Sequence, residues 1–209
     1  MLYPAELRAL RLIVSFNVVE TEVKIRFERG ARAARDLIEG LGYVVLEPAT
    51  LESDRIFDRG VTDLKTADQL LRLRRAGSRS TVTYKGPANR ERYKSREEIE
   101  FDVSDPDNFE LVLDRLGYTL RFRYEKVRTK FAAQLPEPGI ITIDETPIGV
   151  FLELEGEAAW IDQTASRLGL QPSEYCTSSY AALYREYLLS HPGAPSDMVF
   201  MPGTYEKDT

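Results

Sequence analysis

From Val19 to Phe27 the chain alternates strictly: Val19, Thr21, Val23, Ile25 and Phe27 take one set of positions, and Glu20, Glu22, Lys24 and Arg26 the other. This is the period-2 pattern of a strand with two unlike faces, one of them a row of four charges. Taken alone, such a strand is an antiparallel strand with one face in water. The pattern returns, however. Over 69–75, Arg72 and Arg74 lie opposite Leu71 and Leu73; over 80–85, Thr81, Thr83 and Lys85 lie opposite Val82 and Tyr84, and Gly77 sits at the turn of the hairpin these two make. Over 96–103, Arg96, Glu98, Glu100 and Asp102 share a face, and over 120–131 so do Lys126, Arg128 and Lys130. After a strand over 140–144, the segment 150–155 puts Phe151, Glu153 and Glu155 opposite Leu152 and Leu154. Many charged strand faces in one small domain predict a barrel whose interior is polar and holds a charged ligand.

Helices are predicted over 1–12 after Pro4, with Leu2, Leu7, Leu10 and Ile13 as its apolar residues, and over 28–41, 108–116, 158–167 and 179–189. Three of them end in Leu-Gly, at Leu41-Gly42, Leu116-Gly117 and Leu168-Gly169, where glycine suits a left-handed C-terminal cap. Acidic pairs Glu20/Glu22, Glu98/Glu100 and Glu153/Glu155 precede those helices, a weak internal symmetry too irregular for a repeat array. Strands over 44–46 and 51–57 flank an expected turn at Glu47-Pro48. The organisation expected is one domain over 1–190 and a poorly ordered tail over 191–209.

The 209 residues are 43% hydrophobic, enough for a core, and the net charge of −6 gives no general attraction to nucleic acid or anionic lipid. No apolar run approaches the length of a membrane span. Cys176, the single cysteine, excludes an internal disulfide and a thiolate metal cluster and fits a reducing, cytoplasmic setting. His191, the single histidine, lies beside Pro192 in the polar tail, which removes Ser-His and Cys-His catalysis.

Chemistry must then rest on carboxylates, Lys, Arg, Tyr or a metal. Glu20, Glu22, Asp144, Glu153 and Glu155 supply hard oxygen ligands that suit Mg²⁺ or Mn²⁺. Lys24, Arg26, Arg72, Arg74, Lys85, Lys126 and Arg128 supply cations able to clamp phosphate oxygens. Both sets together point to a metal-polyphosphate ligand.

Glu20-Thr21-Glu22-Val23-Lys24 resembles the N-terminal signature of the CYTH superfamily, the triphosphate tunnel metalloenzymes, whose members include class IV adenylate cyclases, thiamine triphosphatases and inorganic triphosphatases. The order of the later motifs extends the resemblance: Leu71-Arg72-Leu73-Arg74, Thr83-Tyr84-Lys85, Glu98-Ile99-Glu100, Lys126-Val127-Arg128, Asp144 and Phe151-Leu152-Glu153-Leu154-Glu155. The resemblance implies an α+β fold, a closed eight-stranded antiparallel β-barrel forming a tunnel with helices packed outside, in which Glu22, Asp144, Glu153 and Glu155 hold the metals, Glu20 reaches a second metal or supports Lys24, and Lys24, Arg72, Arg74, Lys85 and Arg128 hold the triphosphate. Lys24, Lys85 and Arg128 are the expected catalytic cations. Glu98 and Glu100 are expected to neutralise cations inside the barrel, and Glu153 to crowd against Glu155 and Asp144. The function implied is metal-dependent hydrolysis of tripolyphosphate, thiamine triphosphate or ATP; the rivals are an adenylate cyclase and a polyphosphate-binding module without catalysis. Some members carry a basic residue on the last helix, where this chain offers Ser178, Ser179 and Tyr180 followed by Arg185.

Overall fold

The computed structural model describes residues 18–60, 63–133, 139–201 and 203; the helix expected over 1–12 lies outside them. In chain order the elements are β1 (Val18–Arg26), α1 (Gly30–Gly40), β2 (Tyr43–Arg59), α2 (Asp63–Thr66), β3 (Leu70–Ala76), β4 (Arg79–Lys85), β5 (Asn89–Arg90), β6 (Lys94–Asp102), α3 (Pro106–Arg115), β7 (Tyr118–Ala133), β8 (Gly139–Thr146), β9 (Gly149–Gly156), α4 (Ala158–Arg167) and α5 (Tyr180–Ser190). Eight strands run in the order β1-β9-β8-β7-β2-β3-β4-β6, and β6 pairs back to β1, closing an antiparallel barrel; β5 is a two-residue edge on β6. β1 pairs with β6 from Val18 to Glu22 and with β9 from Glu22 to Arg26. That hand-over at Glu22 is the stagger that closure of a tilted sheet requires.

The barrel is charged inside, and its outer face is apolar where helices cover it. Val23 and Ile25 of β1, Leu152 and Leu154 of β9 and Ile141 and Ile143 of β8 point outward, where α1 (Ala34, Ile38) and α4 (Trp160, Ile161, Ala165) bury them. On another side α3 sets Leu113 against Phe57, Leu73 and Val82. The helices form for local reasons as well. Pro106 opens α3 behind Asp105, whose carboxylate accepts from the Asn108 amide at 3.0 Å. Gly42 and Gly117 end α1 and α3 at φ of +89° and +81°, so the chain can turn directly into β2 and β7.

Two expectations change. β2 runs unbroken through Pro48, because its pairing with β7 shifts register between Val45 and Glu47 and again between Glu47 and Thr50. The expected turn is therefore a bulge in a 17-residue strand, a place where a residue without an N–H is tolerated. The expected poorly ordered tail is packed as far as it is described: Met198 is fully buried beside Tyr124 and Tyr184, its amide donates to the Arg123 carbonyl at 3.0 Å, and its carbonyl accepts from the Glu125 amide at 2.8 Å. A buried methionine and the Asp197 carboxylate, 2.7 Å from Arg123 Nε, anchor it to β7. Among the described residues no helix is long and apolar enough to cross a membrane.

Candidate active site

The inward positions of the strands enclose a cavity of about 160 Å³. Alternation dictates what lines it: Glu20, Glu22 and Lys24 from β1, Arg72 and Arg74 from β3, Lys85 from β4, Lys126 and Arg128 from β7, and Glu153 and Glu155 from β9. Lys94, Arg96, Glu98 and Glu100 of β6 complete that wall, and Ser179, Tyr180 and Ala181 reach it from the start of α5.

One side is a continuous chain of opposite charges. Lys24 Nζ donates to Glu153 at 2.5 Å, and Glu153 also accepts from Arg128. Arg128 donates through Nε and Nη2 to Asp144 at 2.6 and 2.5 Å, and Lys126 Nζ reaches the same carboxylate at 2.8 Å. Glu52 lies 3.6 Å from Lys126 and 2.9 Å from Arg74, and Arg74 forks onto Asp54 at 2.9 and 3.0 Å. Burial strongly opposes the ionised form of Glu153, yet Arg128, Lys24 and Lys126 hold its carboxyl well below the usual range. Each charge on this wall meets an opposite charge, so charge-assisted hydrogen bonds and ion pairs link it from Lys24 to Asp54.

The opposite side is less evenly matched. Lys94 donates to Glu22, and Lys85 donates to Glu98, which Arg96 also approaches at 3.5 Å. Burial and the Arg72 guanidinium lower Lys85 to about 8, although Glu22 and Glu98 favour its charge. Burial, then Glu155 and Glu98, raise Glu20 to about 8. Three buried donors on the cavity wall, Arg72 Nε, Arg96 Nε and Thr142 Oγ1, have no hydrogen-bond partner within the protein. Buried donors of this kind are costly unless a ligand supplies acceptors.

Residues 19–167 match the family model of the CYTH domain. The chain belongs to the CYTH domain family. A Methanocaldococcus jannaschii protein provisionally named an adenylate cyclase is 27% identical over 146 residues, 70% of this chain and 81% of that protein. A solved structure from Pyrococcus horikoshii OT3 is 25% identical, covers 77% of this chain and 96% of its own, and superposes with a TM-score of 0.64. A Hippeastrum protein provisionally described as an adenylyl cyclase, with a dominant triphosphatase activity, is 16% identical and shares the fold over 90% of this chain and all of its own, with a TM-score of 0.58.

Within the CYTH barrel, ten of the twelve residues singled out from the sequence line the cavity; Arg26 and Asp144 do not. Arg26 stands at the end of β1, where it donates to Glu28 at 2.9 Å and to the Ile148 carbonyl at 2.8 Å, outside the tunnel. Asp144 is fully buried behind the wall and accepts from Lys126, Arg128 and the Tyr180 hydroxyl, so its oxygens are saturated by donors. Glu153 is not crowded against Asp144 but set between cations. Lys94 was missed because the strand was expected to begin at Arg96; extending the same alternation back by two residues finds it. Glu52 and Asp54 lie in the strand expected over 51–57, but that stretch marks no charged face, since Ile56 shares their parity while Ser53 and Arg55 share that of Leu51 and Phe57.

The donor set fits a hard divalent cation in its chemistry, since Glu20, Glu22, Glu153 and Glu155 all face the cavity. Glu20 is raised by burial first and then by the neighbouring Glu155 and Glu98 carboxylates, and a divalent cation beside it would favour its charged form. Among the described residues no three acidic side chains already converge on one point. Glu22 is turned to Lys94, and Glu153 to Lys24 and Arg128. Glu20 and Glu155 line the same cavity and repel one another.

Proposed function

We propose that the tunnel binds a triphosphate and hydrolyses it in a reaction dependent on Mg²⁺ or Mn²⁺. The observation that carries this reading is the uneven wall: Arg72, Lys85 and Arg96 are brought together in a buried cavity, Lys85 is lowered by burial and by Arg72, and the buried Nε of each arginine makes no hydrogen bond within the protein, with a carboxylate, Asp54 or Glu98, standing off at 3.5 Å. A string of phosphate oxygens supplies what that wall lacks. Phosphoryl transfer asks a protein chiefly for positioning and for stabilising charge on phosphate oxygens, and fixed cations do this best where water is excluded. Arg72, Lys85 and Arg96 would hold the polyphosphate from one side. Lys24, Lys126 and Arg128, held still by Glu153 and Asp144, would face it from the other and stabilise the departing diphosphate. Glu20 and Glu155, with Glu22 and Glu153, would hold the cation, which supplies Lewis-acid stabilisation of phosphate charge when bound.

The name of the Methanocaldococcus relative favours a second reading, in which ATP closes to cyclic AMP with loss of pyrophosphate. One experiment separates the readings: purified protein is incubated with tripolyphosphate, thiamine triphosphate and ATP, each with Mg²⁺ or Mn²⁺, and the products are identified. Orthophosphate release supports the hydrolase. Cyclic AMP with pyrophosphate rejects it for the cyclase, and tight binding without any product leaves a polyphosphate-binding module.

A further inference from the structure

Tyr180 is the first residue of α5 and reaches into the tunnel from outside the barrel. Its hydroxyl donates to Asp144 Oδ2 at 2.6 Å. Its ring face carries two buried ammonium groups, Lys24 Nζ at 4.4 Å and Lys126 Nζ at 5.1 Å from the centroid. The ring is itself fixed, edge-on to Phe151 at 5.6 Å and tilted against Tyr124 at 5.8 Å. Burial, then Asp144 and Glu153, push the phenol well above its ordinary pKa, so it stays a neutral donor.

We infer that Tyr180 is a positioning residue for the cations of the site. Asp144 is the acceptor on which Lys126 and Arg128 converge, so the hydroxyl that fixes Asp144 fixes both of them. The ring replaces part of the hydration that Lys24 and Lys126 lose on burial, through the attraction of a cation to an aromatic face. One side chain thus sets three of the cations that face the ligand, and the last helix acts on the site through Tyr180, while its one basic residue, Arg185, stays outside the cavity. A purely structural role is distinguishable, because Tyr184 lies one turn further along the same helix, in the same aromatic cluster, and spends its hydroxyl on the Pro195 carbonyl at 2.7 Å, away from the tunnel.

This inference rests on the tunnel being a polyphosphate site, and its test keeps the two apart. Tripolyphosphate is titrated calorimetrically into wild type, Tyr180→Phe, Tyr180→Leu and Tyr184→Phe, with thermal melts of each. Tyr180→Phe loses only the charge-assisted hydrogen bond and should bind about tenfold more weakly. Tyr180→Leu also loses the ring and should be weaker again by several-fold. Tyr184→Phe should bind like wild type although its melting temperature falls by a similar few degrees. Equal affinity of Tyr180→Phe and Tyr184→Phe overturns the inference. Failure of wild type to bind tripolyphosphate counts against the polyphosphate reading alone, and the inference is then decided without ligand. An amine acylating reagent with mass-spectrometric readout should modify Lys24 and Lys126 several-fold faster in Tyr180→Leu than in wild type, with Tyr180→Phe close to wild type. Unchanged rates in Tyr180→Leu would overturn it.

Discussion

Filling the tunnel with a polyanion should draw protons from solution, and Lys85 governs how many. Burial first, then Arg72, with Arg96 contributing, bring its ammonium down to about 8 against the pull of Glu22 and Glu98. Roughly a tenth of Lys85 is then uncharged at pH 7, roughly half at pH 8 and roughly nine-tenths at pH 9. A polyphosphate beside it favours the charged form and returns it toward the ordinary 10.5, so binding takes up that missing fraction of a proton. Glu20, held at about 8, moves in the same direction, since an anion opposes its ionisation. The ligand titrates as well, and the quantity to compare is therefore the difference between wild type and Lys85→Met. Loss of Lys85, whose charge lowers Glu20, leaves Glu20 more firmly protonated and adds to that difference. The assay is calorimetric titration with tripolyphosphate, without metal, in two buffers of different ionisation enthalpy at each pH. The expected difference is at least about 0.1, 0.5 and 0.9 protons at pH 7, 8 and 9. A difference that stays flat with pH, or a net release attributable to Lys85, would mean that burial and Arg72 do not lower Lys85 in the empty tunnel.

Three further outcomes follow from the same geometry. The native state keeps the Glu20 proton up to about 8 while the unfolded chain releases it near 4.5, so stability should fall as pH rises through that window. Glu20→Gln should flatten this decline and stabilise the protein at pH 8 by on the order of a few kcal/mol, read from melts across pH; parallel curves for the two proteins would show that Glu20 is not strained. Glu153→Gln should not relieve repulsion but strip a charge from Lys24 and Arg128, costing about 3 kcal/mol in denaturant melts as well as activity, and a variant as stable as wild type would contradict the ion-pair chain. Gly139→Ala would bring a Cβ to 2.4 Å from the ring of Trp160, the sole tryptophan, so it should cost about 1–3 kcal/mol and shift the fluorescence. An unaltered spectrum and melting temperature would mean that α4 does not pack on β8 as described.

The sequence by itself determined the strands and their faces, because a two-residue period is written directly into Glu20-Thr21-Glu22-Val23-Lys24 and its later counterparts, and charged faces repeated so often have few places to go except the inside of a barrel. It determined the helix ends through Gly42 and Gly117, where the backbone conformation favours a residue without a Cβ. It also determined most of the cavity wall, since parity alone assigns Arg72, Lys85, Lys126 and Glu153 to one side of their strands. Tertiary structure decided which inward charges face the open space and which face one another. Asp144 and Arg26 have the right parity, yet one is sealed behind Lys126 and Arg128 and the other is carried past the end of the tunnel by the stagger of β1. The burial and the neighbouring charges that leave Lys85 and Glu20 near 8 also belong to the fold, because both depend on which strands the closure brings together. Tyr180 marks the limit of reading by pattern: nothing in its own helix distinguishes it from Tyr184, and only the docking of α5 on β7 and β9 sets its hydroxyl on Asp144 and its ring beneath Lys24.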